Sequence, residues 1–439
     1  MASSPMSIGN DESEVRKKRL LGFGFWIQGF RCFPWMAVNY FLKDGLGIAP
    51  STLQILQNTA NLPMVGKPLY GVISDAVYIR GQHRLPYIIL GGFLQAISWL
   101  SIAFLSQSGS SSIVIISLLL LLSNLGASIV EVANDAIVAE SGKQVSQDKK
   151  SRSGELQSFV CMAAAVGGIL GNLLGGMALN QLSPKTMFLI FGLLVTFQLI
   201  ATLTIHENSL NLPHNMSTGI HSQLSSLIAA LRRPDIAYTI IWLFMSLAIV
   251  PLLTGSMFFY QTEYLNLDSS VIGISKVVGQ VALLVWSVIY DSKLKAVSIR
   301  KVVKHLQFMT AVCILSDVLF VKRFYWRLGL PDSIYVSVFS GILEVLFQFK
   351  LLPLCVLLAQ LCPPGCEGSL MAFVMSAIAL AMIVSGFLGV VLASWIGIGA
   401  DEFGGLPLGI LVQAACTLAP VYWSSWVAEP GKQAVEKED

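Results

Sequence analysis

Twelve apolar stretches, each long enough to cross a bilayer, follow one another along the chain with short polar breaks between them. A helical span needs about 20 mostly apolar residues. The stretches lie near 20–42, 51–74, 85–106, 112–139, 154–180, 184–206, 236–262, 269–290, 300–321, 332–360, 368–398 and 405–427. In hydrocarbon every backbone N–H and C=O has to be bonded internally, which leaves helices as the local solution for runs of this kind. An all-α membrane protein of twelve transmembrane helices is therefore expected. Only 12% of the residues are charged, against about 25% in soluble domains. That is too few to cover the two or three soluble domains this length would otherwise make.

Residues 207–235 are polar by comparison and link two six-helix halves, 20–206 and 236–428. Residues 1–19 and 429–439 read as polar tails. The first tail lacks the apolar core of a signal peptide and carries Asp11, Glu12 and Glu14, so it shows no clean targeting signal. With the N-terminus inside, nineteen of the 28 lysines and arginines fall in inner segments and five in outer ones. The positive-inside rule then places both termini inside. Lys322, Arg323 and Arg327 form an outer cluster that goes against it. The net charge of +3 sits in loops beside spans and makes no case for nucleic acid.

Between the second and third runs the chain reads Lys67-Pro-Leu-Tyr-Gly71-Val-Ile-Ser-Asp75, then Arg80-Gly81-Gln-His-Arg84. Short basic loops occur in any polytopic protein. This ordered Gly–Asp–Arg–Gly–Arg set, placed after the second span, resembles the loop 2–3 pattern of major-facilitator transporters. Gly71 is expected to let two helices approach closely, and Asp75 to close the end of a span. Arg80 and Arg84 should hold the turn on the positive side. Lys67, Gly71, Asp75, Arg80 and Arg84 are assigned to conformational switching.

Charges inside spans cost about 3 kcal/mol or more unless paired or hydrated. Arg31 lies roughly 16 Å into the first run, on one face with Gln28, Trp35 and Asn39. The fourth run carries Asn124, Ser128, Glu131 and Asp135 at spacings of 4, 3 and 4. Lys276 shares a face with Gln280 and Ser287, and Glu344 with Ser337 and Gln348; Lys350 points about 120° away from Glu344. Arg31, Trp35, Glu131, Asp135, Lys276, Glu344 and Lys350 are the substrate-binding candidates. The competing reading is that such groups form ion pairs that brace helices. Asp135 and Glu140, near the inner end, are then partners for Arg84 or Lys143. Pro34 and Pro251 interrupt the first span of each half at similar depth, which suggests a repeat with a site between the halves. Gly167, Gly171 and Gly175 read as a face on which a neighbouring helix packs closely.

The histidines (83, 206, 214, 221, 305) form no metal spacing, and HExxH, GxGxxG, GxSxG and phosphate-loop motifs are absent from the sequence. Cys362 and Cys366 are the only close cysteine pair, without a matching His or Cys cluster. Neither an enzyme nor a cofactor nor a metal site is expected.

Residues 38–75 carry a sharper likeness: Asn39-Tyr40-Phe-Leu-Lys43-Asp44-Gly, Leu62-Pro63, then Lys67-Pro68-Leu-Tyr70-Gly71-Val-Ile-Ser74-Asp75. With Glu131-Val-Ala-Asn-Asp135-Ala-Ile-Val-Ala-Glu140, this resembles the folate–biopterin transporter family, a branch of the major-facilitator transporters. The chain departs from that pattern in Gln82-His83-Arg84, in Lys143 where an earlier Arg is expected, and in Glu131 where Asp is frequent. The resemblance implies a major-facilitator fold of two six-helix halves. It implies a monomeric secondary transporter in the lipid bilayer that moves folate or a pterin with protons as coupling partner. The glutamate-tail carboxylates of folate suit Arg31, Lys276 or Lys350. The pterin edge suits Glu131 or Asp135, and its rings suit Trp26, Trp35 or Phe30. Another polar anion or sugar, or a receptor that binds without transport, are the alternatives. The chloroplast envelope, vacuolar membrane and plasma membrane all remain open as locations.

Overall fold

The computed structural model describes residues 5–105, 112–145, 152–210, 220–294, 297–362, 367–400 and 402–429. The expectations placed on Lys149, Lys150, Lys295, Cys366, Lys432, Lys437 and residues 211–219 lie outside the described residues. So do those on the side chains of Asp11, Glu12, Lys143, Arg152 and His221.

Among the described residues every regular element is a helix, apart from one isolated bridge between Ile79 and Gln82. The first part of the chain forms α1 (Pro5–Phe30), α2 (Cys32–Tyr40), α3 (Pro50–Ala60), α4 (Lys67–Ala76), α5 (Leu85–Leu105), α6 (Ile113–Val145), α7 (Arg152–Ala178), α8 (Pro184–Leu203) and α9 (Ile220–Leu231). The remainder forms α10 (Pro234–Ala248), α11 (Thr254–Phe259), α12 (Ser269–Ile289), α13 (Ile299–Val321), α14 (Asp332–Tyr335), α15 (Gly341–Leu346), α16 (Leu351–Leu361), α17 (Glu367–Trp395) and α18 (Leu406–Leu418).

Eight helical segments among the described residues are long and apolar enough to cross a membrane: α5, α6, α7, α8, α12, α13, the stretch from α14 to α16, and α17. They coincide with eight of the twelve apolar runs. The other four runs are helical but interrupted, and local chemistry accounts for each. Pro34 has no N–H to offer the Phe30 carbonyl, and the helix breaks at Arg31. Pro63 lies in the 3₁₀ piece Leu62–Gly66 between α3 and α4. Pro251 lies in the gap between α10 and α11. Pro420 lies in the 3₁₀ turn Ala419–Val421 after α18. Pro34 and Pro251 thus both stand at interruptions.

The chain forms two compact units, one of Met1–Val38 with Gly66–Ser225, the other of Asn39–Val65 with Ser226–Asp439. The first unit is built on Leu21, Phe25, Leu85, Ile88, Val130 and Ile137. Its tightest seam joins α1 to α7. A Cβ at Gly29 would stand 2.0 Å from the Ala164 carbonyl oxygen, and one at Gly167 2.2 Å from that of Trp26. The glycine face on α7 therefore seats a neighbouring helix. Gly71 does not do so, contrary to expectation: a Cβ there would meet only Val132 Cγ1, at an ordinary 3.6 Å. The close approach is made by Gly91 and Gly126, each facing the other's carbonyl where α5 crosses α6.

The second unit packs around Trp242, Leu243, Leu247, Val303, Leu354 and Leu357. Its broken segment between α10 and α11 is bonded by side chains. Gln54 donates to the Leu252 and Gly386 carbonyls, each at 2.7 Å, and Ser385 donates to that of Val250. The basic cluster that defied the charge rule has an aromatic setting. Arg323 lies 5.0 Å from the Tyr264 ring and 4.5 Å from that of Trp326, and Arg327 lies 5.2 Å from Phe324.

Candidate functional site

The polar stripe of α6 meets two cations in the first unit. Arg31, at the kink between α1 and α2, donates from Nη1 to Glu131 Oε1 at 2.6 Å and from Nη2 to Asn124 Oδ1 at 2.9 Å. Lys67, the first residue of α4, places Nζ 2.7 Å from Glu131 Oε2. Each oxygen of the buried Glu131 carboxylate is therefore held by a separate cation. Two positive charges on one negative leave these three residues with a surplus of one, which the nearby Asp135 carboxylate opposes. Asp135, one turn further along α6, is exposed and makes no hydrogen bond or ion pair among the described residues. It is the carboxylate of the stripe that no cation bonds directly, although Lys67 and Glu131 lie within electrostatic reach of it. The expected pairing of Asp135 with Arg84 is not formed; Arg84 binds Glu140 and Asp75 instead.

Lys67, grouped by sequence with the switching residues Gly71, Asp75, Arg80 and Arg84, stands at the opposite end of α4 from that turn and points into the Glu131 cluster. Tyr70, one turn after Lys67, lies beside Ser128 of the α6 stripe. It is a member of the group that residue-by-residue reading missed, although its spacing of three from Lys67 signals a common face. Of the candidate stacking rings, Trp26 and Phe30 are already stacked on one another at 4.9 Å, and Phe30 continues onto Phe33 at 5.1 Å. Trp35 is half-buried and has no ring partner among the described residues.

In the second unit two of the remaining candidates meet and the third, Lys350, stands apart from them. Lys276 and Glu344 form an ion pair, both half-exposed. The pair sits by the closest crossing of α12 and α15, where a Cβ at Gly341 would lie 2.3 Å from the Ser275 carbonyl. Lys350 is 4% exposed. Its Nζ donates to the Ser246 carbonyl at 2.8 Å and to Gln307 Oε1 at 3.3 Å. It is enclosed in the unit and does not stand at a surface where a large solute would meet it.

The turn after α4 is a second charged centre. Arg84 Nη2 lies 2.5 Å from both Asp75 and Glu140, and Nη1 donates to Ser74 Oγ at 2.7 Å. Burial works against the charge of Arg84, yet Glu140 and Asp75 outweigh it and raise its pKa. Glu207, which sequence reading passed over, accepts the backbone N–H groups of His83, Arg84 and Leu85 at 2.8–3.1 Å. It caps α5 from 122 residues away, satisfying orphan donors and the positive end of the helix dipole. Burial and then Arg84 push the His83 imidazole below its usual pKa. Arg80 makes no ion pair among the described residues. It occupies the first central position of a two-residue turn with φ +55°, followed by Gly81 at φ +77°, the hairpin geometry that favours Asn-Gly or Gly-Gly.

Residues 28–439 match the BT1 family. The chain belongs to the BT1 family. This BT1-family chain is similar to the probable folate-biopterin transporter 7 of Arabidopsis thaliana, with 58% identity over 410 residues covering 93% of this chain and 92% of the relative. It is also similar to the probable folate-biopterin transporter 8, chloroplastic, of the same plant, at 45% identity over 95% of this chain and 77% of the relative. In fold it is similar to the nucleoside transporter NupG, at TM-score 0.68 and 14% identity, covering 94% of this chain and 98% of that one. The resemblance read in residues 38–75 is therefore borne out. The BT1-family chain is a multi-pass membrane protein, and these relatives carry transporter names rather than enzyme names.

Proposed function

We propose that this BT1-family chain is a proton-coupled secondary transporter of folate or a pterin. It works as a monomer with twelve spans in two six-helix halves, 20–206 and 236–428, joined by 207–235. The eight helical segments long and apolar enough to cross, with shorter interrupted helices at the four remaining runs, support the span count. The names of the relatives support the solute class.

The observation that carries the reading is the Arg31–Lys67–Glu131 cluster beside Asp135. Its surplus cation suits an anionic group, such as a carboxylate of a glutamate tail. Asp135 suits the paired donors of an amino-pyrimidinone edge, which one carboxylate accepts in bidentate fashion. Trp35 offers an unpartnered ring face. Lys276 and Glu344 are held in reserve as a mutually neutralised pair. The Asp75–Arg84–Glu140 centre serves conformational switching, so Asp75→Asn should slow turnover and leave solute affinity nearly unchanged. The chloroplastic relative supports the chloroplast envelope among the open locations.

Uptake by purified protein in vesicles tests the reading, with labelled folate, a pterin and control anions and sugars as solutes. Saturable uptake of folate or pterin alone is expected. Binding without uptake would indicate a receptor, and preference for a control solute would move the assignment to another polar compound.

A further inference from the structure

Lys350 is the one candidate for which solute contact makes no geometric sense. It closes the turn at 347–350 that separates α15 from α16. Pro353 is the cause of that turn: lacking an N–H, it cannot bond the Phe349 carbonyl four residues back. The indole of Trp286 donates to that carbonyl instead, at 2.9 Å. The local chain tightens to three-residue bonds, Phe349 to Leu346 and Leu351 to Gln348.

The ammonium that results is buried with two neutral acceptors, the Ser246 carbonyl and Gln307 Oε1. No ion pair reaches it among the described residues. Gln307 is 2% exposed, and its Nε2 has no hydrogen-bond partner. The surrounding elements bring no counter-charge. On α10, Asp235 lies eleven residues from Ser246, about 16 Å along the helix. On α13, Lys301, Lys304 and His305 are exposed on other faces, and its one acid, Asp317, lies ten residues from Gln307, about 15 Å along the helix. Glu344 of α15 is engaged with Lys276, and α16 adds only Cys355. A buried, uncompensated ammonium costs several kcal/mol, so this side chain has a reason either to release its proton or to bind an anion. An anion needs room among Leu247, Val303 and Leu354, whereas proton release needs none.

We propose that Lys350 is a proton-exchange site within the second unit. Its ammonium gives one proton to water and keeps the nitrogen lone pair; the Gln307 amide then turns so that Nε2 donates to the neutral amine. The reverse step takes a proton from water and restores the bond to Oε1. The unpartnered Nε2 is the donor that the neutral state requires, and which oxygen or nitrogen faces the lysine follows from the charge. This gives the proton a seat away from the Arg31–Lys67–Glu131 cluster. Only its role in coupling rests on the transport reading; the exchange itself does not.

The test uses full-length purified protein carrying ¹³C-labelled lysine, with the Lys350 ε-carbon resonance assigned by its loss in Lys350→Met. That resonance should move between two limits across about pH 5 to about pH 9, while the exposed lysines stay at their ammonium positions. If Lys350→Met does not fold, Gln307→Leu makes the assignment, since loss of the amide shifts the same resonance and its midpoint. A Lys350 signal that stays at the ammonium position throughout overturns the proposal, and one that responds to chloride instead of pH identifies a bound anion and does the same. In vesicles, Lys350→Gln should abolish stimulation of uptake by an imposed proton gradient. Full stimulation in the variant removes the coupling role. If wild-type protein moves neither folate nor pterin, the transport reading fails while the titration still decides the site.

Discussion

Gln54 accepts a hydrogen bond from the Gly255 N–H at 2.9 Å, across 201 residues of chain. The same amide donates to the carbonyls of Leu252 and Gly386. One polar side chain thus satisfies three backbone groups beside a helix break, in a setting where water does not reach hydrocarbon depth. Gln54→Ala should lower stability by roughly 3 kcal/mol or more, since each buried unsatisfied group costs about 1–3 kcal/mol. Gln57→Ala, which loses a single bond to Asn39, should cost about 1 kcal/mol. Thermal unfolding of the two purified variants checks the order; equal losses would contradict it.

The glycines of the first unit divide by what lies over them. Gly29→Ala would drive a methyl to 2.0 Å from the Ala164 oxygen, and backbone cannot retreat as a side-chain tip does. It should abolish the folded, monodisperse fraction. Gly71→Ala meets only a methyl at 3.6 Å and sits inside a helix, where Ala is favoured by about 1 kcal/mol over Gly. Size-exclusion yield of the two variants separates these outcomes.

Loss of charge at the α6 cluster should be asymmetric. Arg31→Gln leaves Glu131 with Lys67, so stability should fall by about 1–2 kcal/mol. Glu131→Gln leaves two neighbouring cations without their anion and should cost about 3–5 kcal/mol. The double variant Arg31→Gln, Glu131→Gln should regain part of that stability yet stay inactive in uptake. Near-normal uptake by the double variant would remove both residues from the solute site and leave them as a brace.

Arg80 separates backbone strain from charge. At φ +55° a side chain costs roughly 1 kcal/mol that glycine does not. Arg80→Gly should therefore hold or raise stability, and if its charge plays a part in switching, turnover should fall at unchanged stability. A destabilised Arg80→Gly would show that the exposed guanidinium has a structural partner.

Acid stability should report on His83. Its folded pKa lies below the usual value of 6.5, through burial and then Arg84. Above that value the imidazole is neutral in both states and its contribution is complete. As pH falls below it, the unfolded chain binds a proton that the folded chain resists, and stability declines until the folded pKa is passed. His83→Gln should flatten this part of the profile, seen as a smaller difference in apparent Tm between about pH 7 and about pH 5. An unchanged slope would assign the acid sensitivity elsewhere.

Eight of the apolar runs, the interruptions at Pro34 and Pro251 and the polar stripe of α6 are legible from residue order alone, because they depend on hydropathy, on a missing N–H and on helical spacing. The Asn124–Ser128–Glu131–Asp135 face and the depth of Arg31 follow from those rules. What they leave undecided is which charge meets which. Lys67 and Arg84 lie in one short sequence string, yet the length of α4 sends one to Glu131 and the other to Asp75 and Glu140. Glu207 caps α5, Gln54 bonds the break at Leu252, and Lys350 loses contact with the surface; each outcome depends on partners more than 40 residues away. Local periodicity specifies the face a side chain occupies, whereas the pairing energy of a buried charge or an orphaned backbone group depends on contacts within a few ångströms. Those contacts exist only once the helices have packed.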